Sequence, residues 1–281
     1  MKIDTHQHFW NLSKCEYTWL TPDYGPIYKT FAPQDLAPQL QACGINKTVI
    51  VQSANTTEDT VSMLTQAECT AWVGGVVGWV PLYDPVEATR LLDRYAKHPK
   101  WRGVRHLNHD EPDPDWLVRD DVMAGLKLLE GRRMTFDVVA IFPKHIDHVP
   151  TLAEHAPELT IIIDHLAKPP IKGKDIQAMD AWRSAMARAA RYPNVYAKVS
   201  GLNTAADWEA WTAADLKPYI DAAIELFGAN RLMFGSDWPV AVLAGDYAKV
   251  WRETNAALAG HSQDVIDAIL GRTAQQVYSI R

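Results

Sequence analysis

The sequence predicts one (β/α)8 barrel of the TIM-barrel class, as a single domain spanning residues 1–281. Short apolar runs rich in β-branched residues alternate with longer amphipathic stretches along the whole chain, as in successive βα units. The length of 281 residues suits one barrel, which typically needs about 250. An open nucleotide-binding sheet would carry a glycine-rich loop after its first strand, but Phe9-Trp10-Asn11-Leu12 stands there instead.

Eight strands are predicted along the chain. Thr48–Val51 and Thr160–Ile163 are apolar at successive positions, which is typical of strands buried on both faces. The predicted strands are Lys2–His8, Lys47–Ser53, Val73–Leu82, Gly103–Leu107, Thr135–Ala140, Thr160–His165, Val195–Gly201 and Arg231–Asp237.

Amphipathic stretches between these strands predict the helices. Gly44, Gly131 and Gly228 each follow such a stretch, and glycine commonly ends a helix. The predicted helices are Pro33–Cys43, Thr56–Cys69, Pro85–His98, Asp115–Glu130, Asp180–Tyr192, Asp215–Phe227, Asp246–Ala259 and Gln263–Tyr278. Two further segments, the aromatic stretch Trp10–Phe31 and His109–Pro114, are predicted to be loops over the ends of the strands, where barrels carry their function.

Composition and charge exclude several classes of function. The net charge is −6 and no basic block occurs, which argues against a nucleic-acid partner. The start of the chain, MKIDTHQHFW, lacks the apolar core of a secretion signal, and no run approaches the ~18 apolar residues that span a bilayer. Three cysteines without a CxxC spacing, Cys15, Cys43 and Cys69, indicate reduced thiols. We therefore expect a cytoplasmic protein with no membrane partner. The sequence is also compatible with a homo-oligomer.

Titratable residues interrupt the apolar pattern at the carboxyl ends of three strands. His6 and His8 are two positions apart, so an extended strand presents both imidazoles on one face. His165 ends the sixth predicted strand and Asp237 ends the eighth. A single histidine at a strand end is usually a hydrogen-bonded structural residue, but four titratable groups at one end of a barrel are costly to bury without a function. We predict an active site there.

Other polar residues at the same end are candidates for substrate binding. Asp164 is instead expected to be structural, because strand alternation points it away from His165. Arg105 is weighed equally between a substrate contact and a structural ion pair with Asp137 or Glu111. The candidate hydrogen-bonding groups are Gln52, Arg105, His106, Lys198 and Ser200, and the candidate aromatic contacts are Trp19, Tyr24 and Trp238.

Several motifs resemble one enzyme family. The chain is similar to the amidohydrolase superfamily, in its family 2 branch, through Asp4–His8 (DTHQH), Asp164–Pro170 (DHLAKPP) and Phe234–Pro239 (FGSDWP). Arg102–His106 (RGVRH) and Gly271–Tyr278 (GRTAQQVY) resemble the sugar-lactonase group of that branch, and the similarity spans essentially the whole chain. The resemblance implies an enzyme that hydrolyses a sugar lactone such as L-fucono-lactone.

The resemblance also implies a metal site, with departures from the common pattern. Many superfamily members bridge two metals with a lysine on strand four and bind one with a histidine on strand five. Here strand four ends in Arg105-His106 and Thr135–Ala140 contains no histidine, so two metals are not expected. One divalent ion, zinc by preference, is expected on His6, His8, His165 and Asp237, although some lactonases of the branch work without metal.

The expected mechanism is attack of water on the lactone carbonyl. Asp237 is predicted to be the general base, and it returns the proton to the leaving hydroxyl. His6, His8 and His165 are predicted to stabilise the developing oxyanion, directly or through an ion.

Three alternatives remain open on the sequence. A metal-dependent decarboxylase of the same branch shares the histidine and aspartate pattern, but it is disfavoured by Arg105-His106 and by the strand-five sequence. An amidase or phosphotriesterase-like hydrolase is disfavoured by the missing bridging lysine. A barrel that binds a sugar acid without turnover would not need Asp237 to face three histidines.

Overall fold

The computed structural model describes residues 1–281 and contains one closed barrel of eight parallel strands in the order β1 to β8. Closure joins β8 to β1, because the amide of Asp237 donates to the His6 carbonyl at 2.7 Å and the amide of His8 donates to the Trp238 carbonyl at 2.7 Å. The strands are β1 Ile3–Gln7, β2 Lys47–Val51, β3 Val73–Gly78, β4 Trp101–His106, β5 Thr135–Val138, β6 Thr160–Ile163, β7 Val195–Val199 and β8 Leu232–Phe234. The predicted fold class is confirmed.

Helices surround the barrel as predicted, with two additions. The α-helices are α1 Pro33–Cys43, α2 Thr57–Cys69, α3 Pro85–Tyr95, α4 Asp120–Gly131, α5 Val149–His155, α6 Ile176–Ala190, α7 Leu202–Ala205, α8 Ala213–Phe227, α9 Tyr247–Leu258, α10 Gln263–Asp267 and α11 Thr273–Val277. The sequence did not predict α5 or α7, since a helix of seven or four residues is too short to show a helical period. The predicted helix Gln263–Tyr278 consists of α10, a π-helical turn at Ala268–Arg272 and α11.

The predicted strands extend too far at their carboxyl ends. β6 ends at Ile163 rather than His165, and β8 ends at Phe234 rather than Asp237. His165 has φ 55° and Asp237 has φ 58°, so both have left-handed backbone, which cannot continue a strand. The residues predicted as the site therefore lie just beyond the strands.

The inside of the barrel is divided into an apolar and a polar layer. The chain terminus closes the apolar end, where Tyr278 and Ile280 pack with Ile3, Val49 and Met233. A separate, larger apolar core of 71 residues lies between the strands and the surrounding helices. Buried charged and polar side chains collect at the carboxyl ends of the strands. No helix has the combination of length and apolar character needed to cross a membrane.

Gly125 of α4 allows this helix to lie close to the chain after β3. A Cβ atom at position 125 would lie 2.9 Å from the Leu82 carbonyl carbon and closer still to its oxygen. Because backbone cannot move aside as a flexible side chain does, we expect Gly125→Ala to lower the free energy of unfolding by about 1–3 kcal/mol.

Gly131, at the end of the same helix, is the control. A Cβ atom there meets nothing within 4 Å, so Gly131→Ala should be neutral or stabilising by about 0.5–1 kcal/mol. Urea unfolding of both variants gives the comparison. Equal effects would show that Gly125 is not required for close packing.

Candidate active site

The four residues predicted as catalytic lie together in the structure. The Oδ1 atom of Asp237 is 3.3 Å from His8 Nε2, 3.8 Å from His6 Nε2 and 4.0 Å from His165 Nε2. All four side chains are buried. Three imidazoles from β1 and the β6 end therefore surround one carboxylate oxygen from the end of β8.

Local backbone geometry accounts for this convergence. His6 of β1 and His8, the first residue after β1, lie on one face as predicted, with ring centroids 4.9 Å apart. His165 and Asp237 turn towards the same point because their backbone is left-handed. Gly201, with φ 58°, leaves the space they need, since a Cβ atom there would lie 2.6 Å from His165 Nδ1 and 2.9 Å from Asp237 Oδ2.

Hydrogen bonds at Nδ1 orient two of the imidazoles. His8 Nδ1 lies 2.8 Å from the Val51 carbonyl oxygen, so this nitrogen carries a proton, and Nε2 lies 3.3 Å from Asp237 Oδ1. His165 Nδ1 lies 2.9 Å from the Ser200 hydroxyl oxygen. Both rings thus direct Nε2 to the centre of the site.

The imidazole of His6 contacts a buried network of charged side chains. Its Nδ1 lies 3.2 Å from Asp164 Oδ1. Asp164 also accepts from Arg105 at 3.0 Å and forms an ion pair with Lys198 at 3.2 Å. Lys198 donates to Asp137 as well. The side chains of Lys198, Asp164 and Asp137 are fully buried.

Asp164 does not point away from His165 as strand alternation predicted, because both side chains lie against His6. Its ion pairs with Arg105 and Lys198 agree with the structural role expected for it. Strand alternation ends at Ile163, and the left-handed backbone of His165 brings the imidazole to the same side as Asp164. Arg105 forms its ion pair with Asp164, not with Asp137 or Glu111 as the sequence suggested.

A cavity of about 440 Å³ opens above this cluster. Trp19 and Tyr24 line it, in agreement with their predicted position, and so does Arg105. Its wall is partly apolar and partly polar. The residues that line the cavity are His8, Trp19, Tyr24, Ser53, Arg105, Leu107, His109, Asp110, Val139, His165, Lys168, Thr204, Ala205, Trp208, Asp237, Val240 and Leu243.

Five predicted substrate contacts do not line this cavity, and one of them, Ser200, instead bonds through its hydroxyl to His165 Nδ1. Gln52 is buried and donates to Asn55 and to the Arg105 carbonyl. Lys198 is buried beneath His6. Trp238 packs edge-to-face against Phe9 and Phe31.

His106 is the fifth predicted contact that does not line the cavity, because side chains alternate along β4. Arg105 points into the barrel, whereas His106 stacks on Trp116 and its ring nitrogens bond to Trp79 and Glu111. Its role is to tie β4 to the loop that follows.

Several cavity residues were missed from the sequence. His109 and Asp110 belong to the predicted loop His109–Pro114, but no individual role was assigned to them. Lys168 stands in the DHLAKPP motif, but a single lysine after His165 forms no local pattern that indicates a cavity contact. Trp208 lies in a loop after α7, where no local pattern indicates a site.

Burial and neighbouring charges set the protonation states of the site. Burial lowers the pKa of His165 to about 4 and holds the pKa of His6 well below its usual value. Burial opposes ionisation of Asp237, but the charge of His165 and the hydrogen bond from His8 hold the pKa of this carboxyl below its ordinary value. At neutral pH the imidazoles of His6 and His165 are therefore neutral and Asp237 is a carboxylate.

This set of donors fits one divalent metal ion. Ligand atoms of His6, His165 and Asp237 all lie within 4.8 Å of one another, and His8 adds a further nitrogen beside Asp237. Neutral imidazole and carboxylate are ligands that zinc accepts, with a position left for water. β5 offers no histidine, and Asp137 is held by Lys198, so the residues do not form a second metal site.

The imidazole of His165 is expected to remain neutral between pH 8 and pH 5 in the metal-free protein. Burial favours the uncharged ring, so its titration should fall near pH 4 rather than near the ordinary 6.5. Carbon-13 and nitrogen-15 chemical shifts of the labelled ring, with His165→Gln for assignment, measure this directly. A midpoint near 6.5 would contradict the role given to burial.

Comparison with known proteins supports this description of the fold. The amidohydrolase family model matches residues 3–280. An L-fucono-1,5-lactonase of Burkholderia ambifaria is 40% identical over 250 residues, which cover 88% of this chain and 83% of that protein. An L-fucono-1,5-lactonase of Burkholderia multivorans is 33% identical over 293 residues, which cover 100% of this chain and 96% of that protein.

A solved structure has the same fold over the whole length of this chain. The crystal structure of an amidohydrolase from Burkholderia multivorans with bound zinc has a TM-score of 0.92 at 30% identity, and the match covers 100% of both chains. The motifs, the closed barrel and the match over residues 3–280 lead to one conclusion. This chain belongs to the amidohydrolase family.

Proposed function

We propose that this chain hydrolyses a sugar lactone to the free sugar acid, with L-fucono-lactone or a close relative as its substrate. The observation that carries the proposal is the set of three imidazoles around Asp237 Oδ1, beneath a cavity of about 440 Å³. The 40% identity to an L-fucono-1,5-lactonase supports the choice of substrate.

Asp237 is the general base of the proposed reaction. Its carboxylate takes a proton from water as the water oxygen attacks the lactone carbonyl carbon. When the ring C–O bond breaks, the protonated carboxyl returns this proton to the leaving hydroxyl. His8 holds the carboxylate in place through the contact at 3.3 Å.

A divalent ion on His6, His165 and Asp237, which we propose to be zinc, would polarise the carbonyl and acidify water. Side chains of the protein stabilise the negative charge and cover the substrate. Arg105 neutralises Asp164 below His6 and faces the cavity, so that it favours negative charge there. Trp19 and Tyr24 cover the substrate and exclude water.

The apolar part of the wall suits a sugar that lacks one hydroxyl. Leu107, Val139, Val240 and Leu243 give the cavity an aliphatic surface. A methyl group, such as the one at the end of a 6-deoxy sugar, loses no hydrogen bond against this surface, whereas a hydroxymethyl group does. This favours L-fucono-lactone over L-galactono-lactone.

A screen of aldonolactones tests the proposal. A pH indicator reports acid release from L-fucono-, L-rhamnono- and L-galactono-lactones, with spontaneous hydrolysis subtracted. Turnover of one lactone at kcat/KM of about 10⁴ M⁻¹s⁻¹ or more is expected. Binding of the sugar acid without turnover of any lactone would instead indicate a binding protein, and release of carbon dioxide from an aromatic acid would indicate a decarboxylase.

Metal removal is expected to abolish most of the lactonase activity. We expect one equivalent of zinc per chain by elemental analysis, because one cluster of donors is present. Dialysis against a chelator should remove both metal and turnover, and one equivalent of zinc should restore them. Full activity at less than about 0.05 equivalents of metal would contradict this role.

A further inference from the structure

We propose that Lys168 is a substrate-binding cation that holds the lactone carbonyl oxygen as it gains negative charge, and then the carboxylate of the product. The inference rests on the proposed lactone hydrolysis and adds a residue to it. The geometry that points to Lys168 is its place on the cavity wall, at the end of a strained turn that also carries His165.

Four consecutive residues after Asp164 have left-handed backbone. The φ angles are 55° at His165, 47° at Leu166, 61° at Ala167 and 50° at Lys168. None of them is glycine, and each such residue costs about 1–2 kcal/mol. Four such residues in succession after β6 are therefore energetically unfavourable. Backbone strain of this kind persists where function requires it.

Contacts from outside the turn hold this conformation in place. Trp182 Nε1 donates to the Leu166 carbonyl at 2.8 Å, and the Phe142 amide donates to the Ala167 carbonyl at 2.8 Å. Within the turn, the Lys168 amide donates to the His165 carbonyl at 2.8 Å. The bonds from Trp182 and Phe142 therefore hold the turn in place. As a result, His165 and Lys168 both line the same cavity.

Lys168 has no ion-pair partner in the structure. The lysines within 4.0 Å of a carboxylate are Lys127, Lys174, Lys198 and Lys217. Arg105, the other cation of the cavity wall, is already committed to Asp164 and to the Gln52 carbonyl. Lys168 is accordingly the cation that remains available for a ligand.

The proposed reaction creates a need for such a cation. A neutral lactone becomes a carboxylate: the water oxygen bonds to the carbonyl carbon, the ring oxygen leaves as a hydroxyl, and one proton is released. This charge appears in a cavity that already contains the carboxylate of Asp237. A lysine ammonium opposite would offset the repulsion and would bind the oxyanion more strongly than the neutral carbonyl.

Three variants test the role of Lys168. Lys168→Asn removes the charge but keeps a residue that tolerates left-handed backbone, and Lys168→Arg keeps the charge. Lys172→Asn is the control, because this lysine is also exposed, lies four positions away and does not line the cavity. Thermal unfolding verifies that each variant folds.

Two readouts are needed, kcat/KM for the lactone and the inhibition constant of the corresponding sugar acid. For Lys168→Asn we expect kcat/KM to fall at least about 30-fold and the inhibition constant to rise about tenfold or more. Lys168→Arg should recover part of both, and Lys172→Asn should match the wild type within twofold. Direct calorimetric binding of the sugar acid repeats the second readout without turnover.

The outcomes separate this inference from the function on which it rests. Wild-type turnover together with a Lys168→Asn variant within twofold in both readouts would overturn the role of Lys168 alone. A wild-type protein that hydrolyses no lactone would refute the proposed function. A loss in both readouts that Lys168→Arg does not reverse at all would assign the effect to the turn rather than to the charge, and would also overturn the inference.

Discussion

Replacing Asp237 by asparagine is expected to lower kcat/KM for the preferred lactone by at least about 100-fold. The amide has nearly the shape of the carboxylate but cannot accept a proton from water, and loss of a general base typically has an effect of this size. Because kcat should fall while KM changes little, initial rates over a range of lactone concentrations measure the effect.

Two controls make this result specific to the base. Asp93→Asn changes an exposed carboxylate that pairs with Arg132, and its turnover should equal that of the wild type. Zinc content of Asp237→Asn shows whether the ion is retained, because the same carboxylate belongs to the cluster of donors. Near-normal turnover by a folded, zinc-loaded Asp237→Asn protein would rule out Asp237 as the base.

Replacing Lys198 by methionine is expected to lower the free energy of unfolding by about 3–5 kcal/mol. Lys198 is fully buried between Asp137 and Asp164, and its removal leaves a buried carboxylate without its counter-ion. Arg105 still pairs with Asp164, so the uncompensated group is mainly Asp137, to which Tyr278 also donates. Guanidinium unfolding of the metal-free protein measures the loss.

The size of this effect depends on burial, and two variants test that. Lys217→Met breaks an exposed pair with Asp221 on α8 and should cost less than about 1 kcal/mol. The double variant Lys198→Met/Asp137→Asn removes both charges and should regain part of the stability lost by Lys198→Met. Equal losses for Lys198→Met and Lys217→Met would contradict a buried charge network.

Much of this protein could be predicted from local sequence. Parallel strands buried on both faces are continuously apolar, so β2 and β6 are recognisable without long-range information. The two-residue period of a strand places His6 beside His8, and the structure has their ring centroids 4.9 Å apart. A barrel brings the carboxyl ends of all its strands together, so the meeting of His165 and Asp237 with these histidines follows from the fold class.

The two-residue alternation of side chains failed as a predictor at the carboxyl end of β6. At the end of β6, alternation predicted that Asp164 and His165 face opposite sides, but left-handed backbone places both against His6. At the end of β4, Arg105 and His106 were both expected to contact substrate, but strand alternation places only Arg105 at the cavity.

The sequence by itself therefore determined the barrel, the end at which its site lies, and the four side chains that meet there, because these depend on periods of two and 3.6 residues. Only the tertiary structure decided that Lys198 lies beneath the site, that Trp238 is turned away from it, and that Lys168 faces the cavity. The physical reason is that backbone direction beyond a strand is set by contacts from distant segments, such as the bond from Trp182 to the Leu166 carbonyl, which no local pattern encodes.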